Sequence, residues 1–393
     1  AYCKIDNLFK INSLIYKFKD MKRIVTILIL GVFLISCTKE ISEFQSDNFI
    51  KYYWNGWESR GNDVLELEDG SYLLTGYDQP QDNNKDVFLI KADKNGNALW
   101  SKTYGSADNQ EEGKVVKTVS DGYIIAGISE TDTITHSFVL KLNTEGDSLW
   151  YKEFGDADIN IIVNDIAINQ DAIYIAGYSQ KENLKSSYYY TKLNLLGERV
   201  WPKYQRGVQN SNSALNNVFL ENDLPVFVGY DGSERKISIL PLGENGDGPA
   251  YPVSEAGETV ADAVFMNSQL YILAKNDHVT STALLKVYNV NTDAELVWET
   301  ESIGSIEAKS LTFWSDNHLI VLAETLQEPT LINTIEVDEN GMLTYGEEAF
   351  GSIAGSAEQV IQTRDNGILF IGATNATYGL RMQLIKTDKD LFL

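Results

Sequence analysis

Short apolar stretches alternate with polar turns along most of this chain, and beyond residue 48 no long stretch repeats its apolar positions at a helical spacing. The clearest copy of the pattern runs from Val64 to Gly105. Val64-Leu65-Glu66-Leu67 alternates and meets the tight-turn pair Asp69-Gly70. Ser71 to Tyr77 reads as a second strand, the polar stretch Asp78 to Asp86 as a loop, and Val87 to Asp93 as a third strand. Lys94-Asn95-Gly96-Asn97 is another turn, and Ala98 to Tyr104 a fourth strand. Short strands with such regular turn punctuation predict antiparallel β structure rather than βαβ units.

The unit repeats. NALWSKTYG at 97–105 returns as DSLWYKEFG at 147–155, RVWPKYQRG at 199–207 and LVWETESIG at 296–304. Trp100, Trp150, Trp201 and Trp298 share one slot at intervals of 50, 51 and 97, and Tyr251 sits near the middle of the long interval. A second mark lies in the second strand, where Gly76, Gly127, Gly177, Gly229 and Gly372 recur and Ala274 and Ala323 fill the weaker copies. A small residue inside a strand signals a close approach. The expected partner is the fourth-strand aromatic of a neighbouring unit. Repeats of this length with four strands each are blade-like, and one such unit cannot bury both of its faces alone.

The seventh copy stops at Leu393 before its fourth strand is complete, while Phe49 to Gly56 resembles a spare fourth strand. The expected fold is therefore all-β: a seven-bladed β-propeller over 49–393 with four-stranded antiparallel blades, the last closed by the N-terminal strand 49–56. Its seven aromatic slots are assigned to Trp54, Trp100, Trp150, Trp201, Tyr251, Trp298 and Tyr345. Such closure leaves no exposed sheet edge.

Copies such as DGSYLLTGY and DVFLIKADKNGNALWSKTYG resemble the propeller repeats of secreted and lipid-anchored proteins of the Bacteroidetes type. They also resemble the quinoprotein repeat, but its Thr-Gly pair is replaced by Asn95-Gly96 and Glu145-Gly146, so no quinone and no other cofactor is expected. Upstream, Met21-Lys22-Arg23 precedes an apolar run from Ile24 to Ile35 that is shorter than a membrane span. The ending Leu34-Ile35-Ser36-Cys37 resembles a bacterial lipobox. That resemblance implies a signal peptide over 21–36, lipidation at Cys37, a tether over 37–48, and an address at the outer membrane, on its periplasmic or its outer side. Residues 1–20 read as a non-native upstream extension.

Charge narrows the partners. The chain carries a net charge of −24, and removal of residues 1–36 makes the balance more acidic. Such a surface repels phosphate backbones and anionic lipid, so nucleic acid is not expected and the membrane is reached through the anchor. With only Cys3 and Cys37, no disulfide framework forms. His136, His278 and His318 share no ligand spacing, and the turns at Asp93 and Asp338 lack the closing Glu of a calcium loop, so no metal is expected. No nucleophile elbow or phosphate-cradling loop is present. The reading is a monomeric, non-enzymatic scaffold that binds an envelope protein or glycan through loops on one face. A glycan-active enzyme, or a scaffold subunit of outer-membrane protein assembly, is the alternative. The candidate binding loops are acidic: Asp78, Asp82 and Asp86; Asp108, Glu111 and Glu112; Glu130 and Asp132; Asp156 and Asp158. Trp57, Trp314 and Tyr188-Tyr189-Tyr190 are further surface candidates off the repeating slot.

Overall fold

The computed structural model describes residues 48–80, 84–131, 133–182, 184–201, 212–232, 234–276, 282–291, 293–304, 306–314, 318–326, 330–345, 355–377 and 379–393. Cys37 and the targeting segment, Asp82, Asp132 and His278 lie outside them. The described chain forms seven antiparallel sheets arranged as the seven blades of a β-propeller. Six sheets have four strands. Blade 3 has three among the described residues, continued by an isolated bridge between Leu193 and Arg199.

Burial follows from this stacking. Second and third strands are sandwiched between neighbouring blades and are apolar on both sides, as in Tyr72–Gln79 and Asp86–Ala92. Outermost strands such as Ala98–Tyr104 are largely exposed. Each joint between blades is an apolar layer; the joint of blades 1 and 2, for example, packs Leu73 and Leu89 against Val116 and Ile125.

The ring closes as expected. Phe49–Tyr53 pairs antiparallel with Gly379–Lys386, from Phe49 opposite Lys386 to Tyr53 opposite Met382. The slot in that strand, however, belongs to Phe49 and not to Trp54. Phe49 lies opposite Lys386 as Trp100 lies opposite Lys91, and Tyr53 corresponds to Tyr104. The Tyr53 hydroxyl donates to the Gly96 carbonyl at 2.6 Å, just as that of Tyr104 donates to Gly146 at 2.6 Å.

The slot aromatics also rest elsewhere than expected. A Cβ added to Gly146, Gly197, Gly246 or Gly341 would sit 2.9–3.3 Å from Trp100, Trp150, Trp201 or Trp298 respectively. These glycines occupy the turn between third and fourth strands of the following blade, at φ of 75–80°, where a side chain is strained in any case. Tyr251 reaches the same region differently, donating to Asp293 at 3.0 Å. Tyr345 ends the last strand of blade 6 opposite Ile335.

The second-strand glycines answer to a different neighbour. Every innermost strand carries a one-residue bulge, at Asn62, Lys114, Asn164, Asn216, Ala261, Lys309 and Glu358 in turn. The carbonyl two residues before the bulge presses on the second strand. A Cβ on Gly76, Gly127, Gly177, Gly229 or Gly372 would meet such an oxygen at 1.9–2.2 Å. The repeating small residue is therefore the footprint of the bulge, not of the tryptophan.

Candidate binding face and axial cavity

First strands begin, second strands end and third strands begin on one side of the ring, here the upper face. The tight turns within each blade lie on the lower face. A cavity of about 820 Å³ runs along the axis, lined by innermost strands of all seven blades and by upper-face residues such as Thr135, Tyr178 and Gln180.

The bulges turn polar side chains toward this axis, and those side chains stitch blade to blade. Asn62, Asn164 and Asn216 donate to the carbonyls of Gly113, Leu215 and Val260, each on the next innermost strand, at 2.7–3.1 Å. The residue after the bulge accepts. Asp63 takes the Val116 N–H at 2.8 Å, Asp165 that of Val218 at 3.0 Å, and Asp262 that of Leu311 at 2.9 Å. Asp262 also accepts from Asn217 at 2.9 Å, Ala263 at 2.8 Å and Ser310 at 2.8 Å, tying blades 4, 5 and 6 together.

Burial pushes the carboxyls of Asp63 and Asp262 up, and raises Asp165 to about 6. Lys117 stands among them with its ammonium 4.0 Å from Asp165. Burial opposes its charge, but Asp165, Asp63 and Asp262 together hold it raised. Each carboxylate is thus fixed by backbone N–H groups, one of them from another blade, and Lys117 offsets part of their charge. Chemically this is a pre-shaped polar cavity whose walls already bond to each other, suited to admitting a polar group at its mouth.

The acidic candidates divide. Asp78 is buried and accepts from the backbone of Asn55 and Gly56, at 3.0 Å each, and from the Ser59 hydroxyl at 2.5 Å. Glu111 is buried and accepts from Ser106 at 2.8 Å. Glu112 accepts from Asn62 at 2.7 Å and pairs with Lys114 at 2.8 Å. These three hold the scaffold and do not face a partner. Asp86, Asp108, Glu130, Asp156 and Asp158 remain on the upper rim, where Asp158 pairs with Lys181. Tyr188, Tyr189 and Tyr190 are core residues, 9% exposed or less. His136 bonds to Glu153 at 2.5 Å and His318 bonds to Glu336. At the two calcium-like turns Asp93 and Asp338 cap their own backbones. Among the described residues no group of three or more His, Cys, Asp and Glu side chains is placed to hold a metal.

The inner stitches were not anticipated. A signal existed in the Asn-Asp pair at 62–63 and again at 164–165, followed each time by an apolar residue. It erodes to Asn216-Asn217, Ala261-Asp262 and Lys309-Ser310 elsewhere.

No protein-family model and no curated protein matches the chain. Among solved structures it is similar to the WD40 domain of Neurospora crassa Pan2, with 10% identity and a TM-score of 0.52, covering 83% of this chain and 89% of that one. It is also similar to a Mycobacterium tuberculosis puromycin-hydrolyzing peptidase, with 10% identity and a TM-score of 0.53, covering 85% of this chain and 51% of the peptidase. Raptor from Chaetomium thermophilum shares 9% identity at a TM-score of 0.51, over 86% of this chain and 29% of Raptor. At such identities the likeness shows the fold alone, a β-propeller.

Proposed function

We propose that this chain is a non-enzymatic propeller lipoprotein of the Bacteroidetes type. It is anchored in the outer membrane through Cys37 and binds an envelope protein or glycan with its upper face. The observation that supports this most directly is where the chain joins the ring. Phe49 pairs with Lys386 at the lower end of blade 7, and the strand then climbs to Tyr53. A chain tethered ahead of residue 48 is therefore held by its lower face, and the upper loops and the cavity mouth are left to meet a partner. Two lipid chains at Cys37 hold firmly where one alone is marginal.

The test labels the full chain metabolically with an alkyne fatty acid in a Bacteroidetes host. Label and membrane fractionation are expected for the wild type and lost in Cys37→Ala. An unlabelled wild type sinks the anchor. The purified protein, incubated with envelope extract, is expected to capture a partner without degrading polysaccharide; hydrolysis would move the reading to a glycan-active enzyme.

A further inference from the structure

The chain has seven tryptophans, and five are accounted for by packing. Trp100, Trp150, Trp201 and Trp298 lie on turn glycines. Trp314 donates to the Asn366 carbonyl at 2.8 Å and packs on the blade 7 core. Trp54 and Trp57 are held only at an edge or on one face: a Cβ on Gly379 would lie 3.5 Å from the Trp57 indole, and Arg381 lies over the Trp54 ring at 5.3 Å. They are 55% and 49% exposed, and they sit three positions apart in the upper-face loop that links blade 7 to blade 1. Ring closure does not need them, because Phe49 and Tyr53 fill the packing roles of that strand.

The loop is nonetheless rigidly held. Buried Asp78 accepts the N–H groups of Asn55 and Gly56, and the Trp57 N–H donates to the Gln79 carbonyl at 2.7 Å. The Arg381 guanidinium donates to the Trp57 carbonyl at 2.6 Å and lies over the Trp54 ring at 5.3 Å. At Gly56 the backbone approaches so closely that a Cβ would be 2.5 Å from the Gln79 carbonyl oxygen. Two strands, one of blade 1 and one of blade 7, thus hold the backbone that presents two indoles to solvent. Exposed large aromatics are costly to keep in water, and pre-organisation of this kind reduces the ordering cost of binding.

We propose that Trp54 and Trp57 form a stacking platform for a neutral glycan. This rests on the upper-face binding reading given above and names the ligand class. The C–H faces of a pyranose are apolar and weakly positive, and they match the electron-rich faces of indole. The overall charge favours this class: a chain at −24 repels densely anionic uronic, sulfated and phosphorylated glycans despite the single Arg381 guanidinium at Trp54, whereas a neutral sugar is indifferent to that field.

The test is native affinity electrophoresis of the detergent-solubilised full chain in gels containing a soluble β-glucan, a xylan or a mannan, with polygalacturonate as the anionic comparator. At least one neutral polysaccharide is expected to retard the wild type. Trp57→Ala should weaken retention by about tenfold, a loss typical of a buried stacking contact. The Trp54→Ala/Trp57→Ala pair should abolish it, Trp57→Phe should keep most of it, and Trp314→Phe should leave it unchanged. Thermal unfolding of each variant checks that the ring is intact. The proposal is overturned if no neutral polysaccharide retards the wild type, if only polygalacturonate does, or if the double variant is retained as well as the parent. If the double variant instead loses capture of an envelope protein, the glycan assignment falls while the upper-face reading stands.

Discussion

Near the axis, neighbouring blades are joined by buried carboxylates and amides that bond to the next blade's backbone. Near the circumference the same blades are joined by tryptophans resting on turn glycines. Both contacts recur around the ring, yet they obey different physics. The inner one takes charge out of water and is stable only while every partner is present. The outer one is an apolar contact, and its loss removes an amount of packing roughly proportional to the area uncovered. Erosion of the two series looks different: Tyr251 replaces a tryptophan in the outer series with a modest change of contact, whereas an inner carboxylate is given up where another acceptor takes the next blade's N–H, as the Ser310 hydroxyl takes that of Val360 at 3.2 Å.

Removing one carboxylate is the harshest way to break that comparison. Asp262→Ala leaves four donors from blades 4, 5 and 6 without their acceptor. It is expected to destabilise by about 3–5 kcal/mol in urea unfolding. Trp100→Ala, a half-buried apolar contact, should cost about 2–3 kcal/mol by the same measurement. If it costs more than the aspartate, the inner stitch is the lesser of the two.

A finer comparison uses two turn glycines with nearly the same backbone. Gly70 has φ 76° and nothing near its missing Cβ, while Gly146 has φ 78° and Trp100 at 3.0 Å. Gly70→Ala should cost about 1 kcal/mol for the left-handed conformation alone. Gly146→Ala should cost about 1 kcal/mol more, and that difference measures the tryptophan contact. Equal costs would show that the indole simply moves aside.

The smallest expected effect is in the pH dependence. The folded Asp165 carboxyl is raised to about 6, above its value of 3.8 in the unfolded chain, so the fold favours the neutral form. This contribution is complete below the unfolded value and is lost as pH rises through about 6. Relative to Asp165→Asn, the wild type should lose about 1 kcal/mol between roughly pH 5 and 7, read from chemical unfolding at each pH. A flat difference would mean that Lys117 keeps the carboxylate charged throughout.

Blade number, strand order and closure by the N-terminal strand were legible in the chain because turns and aromatics carry strong, regular signals. The errors share a cause. Spacing puts Trp54 in the slot but cannot register a strand whose partner lies more than 300 positions away; Phe49 holds the slot by pairing with Lys386. Asp78 and Glu111 look like solvated loop acids until Asn55, Gly56, Ser59 and Ser106 are seen to surround them. The inner stitches are hidden in the sequence because an Asn-Asp pair reads as a turn, and only the bulge turns it toward the axis. Tyr188 to Tyr190 read as surface because they lie off the repeating aromatic slot, but a strand sandwiched between two blades buries both sides.

The joining of the two chain ends has a temporal side. Asn48 touches the Phe392 carbonyl across 344 positions, and the strand that follows it finds its mate only in Gly379–Lys386. As the chain is made, that strand waits, with its hydrogen-bonding edge open, until Gly379–Lys386 has arrived. Long-range pairing of this sort is slow to form and prone to wrong associations in the interval. The ring is thus an all-or-none object in time as well as in space: a chain cut before Gly379 would leave Phe49–Tyr53 without its partner strand as well.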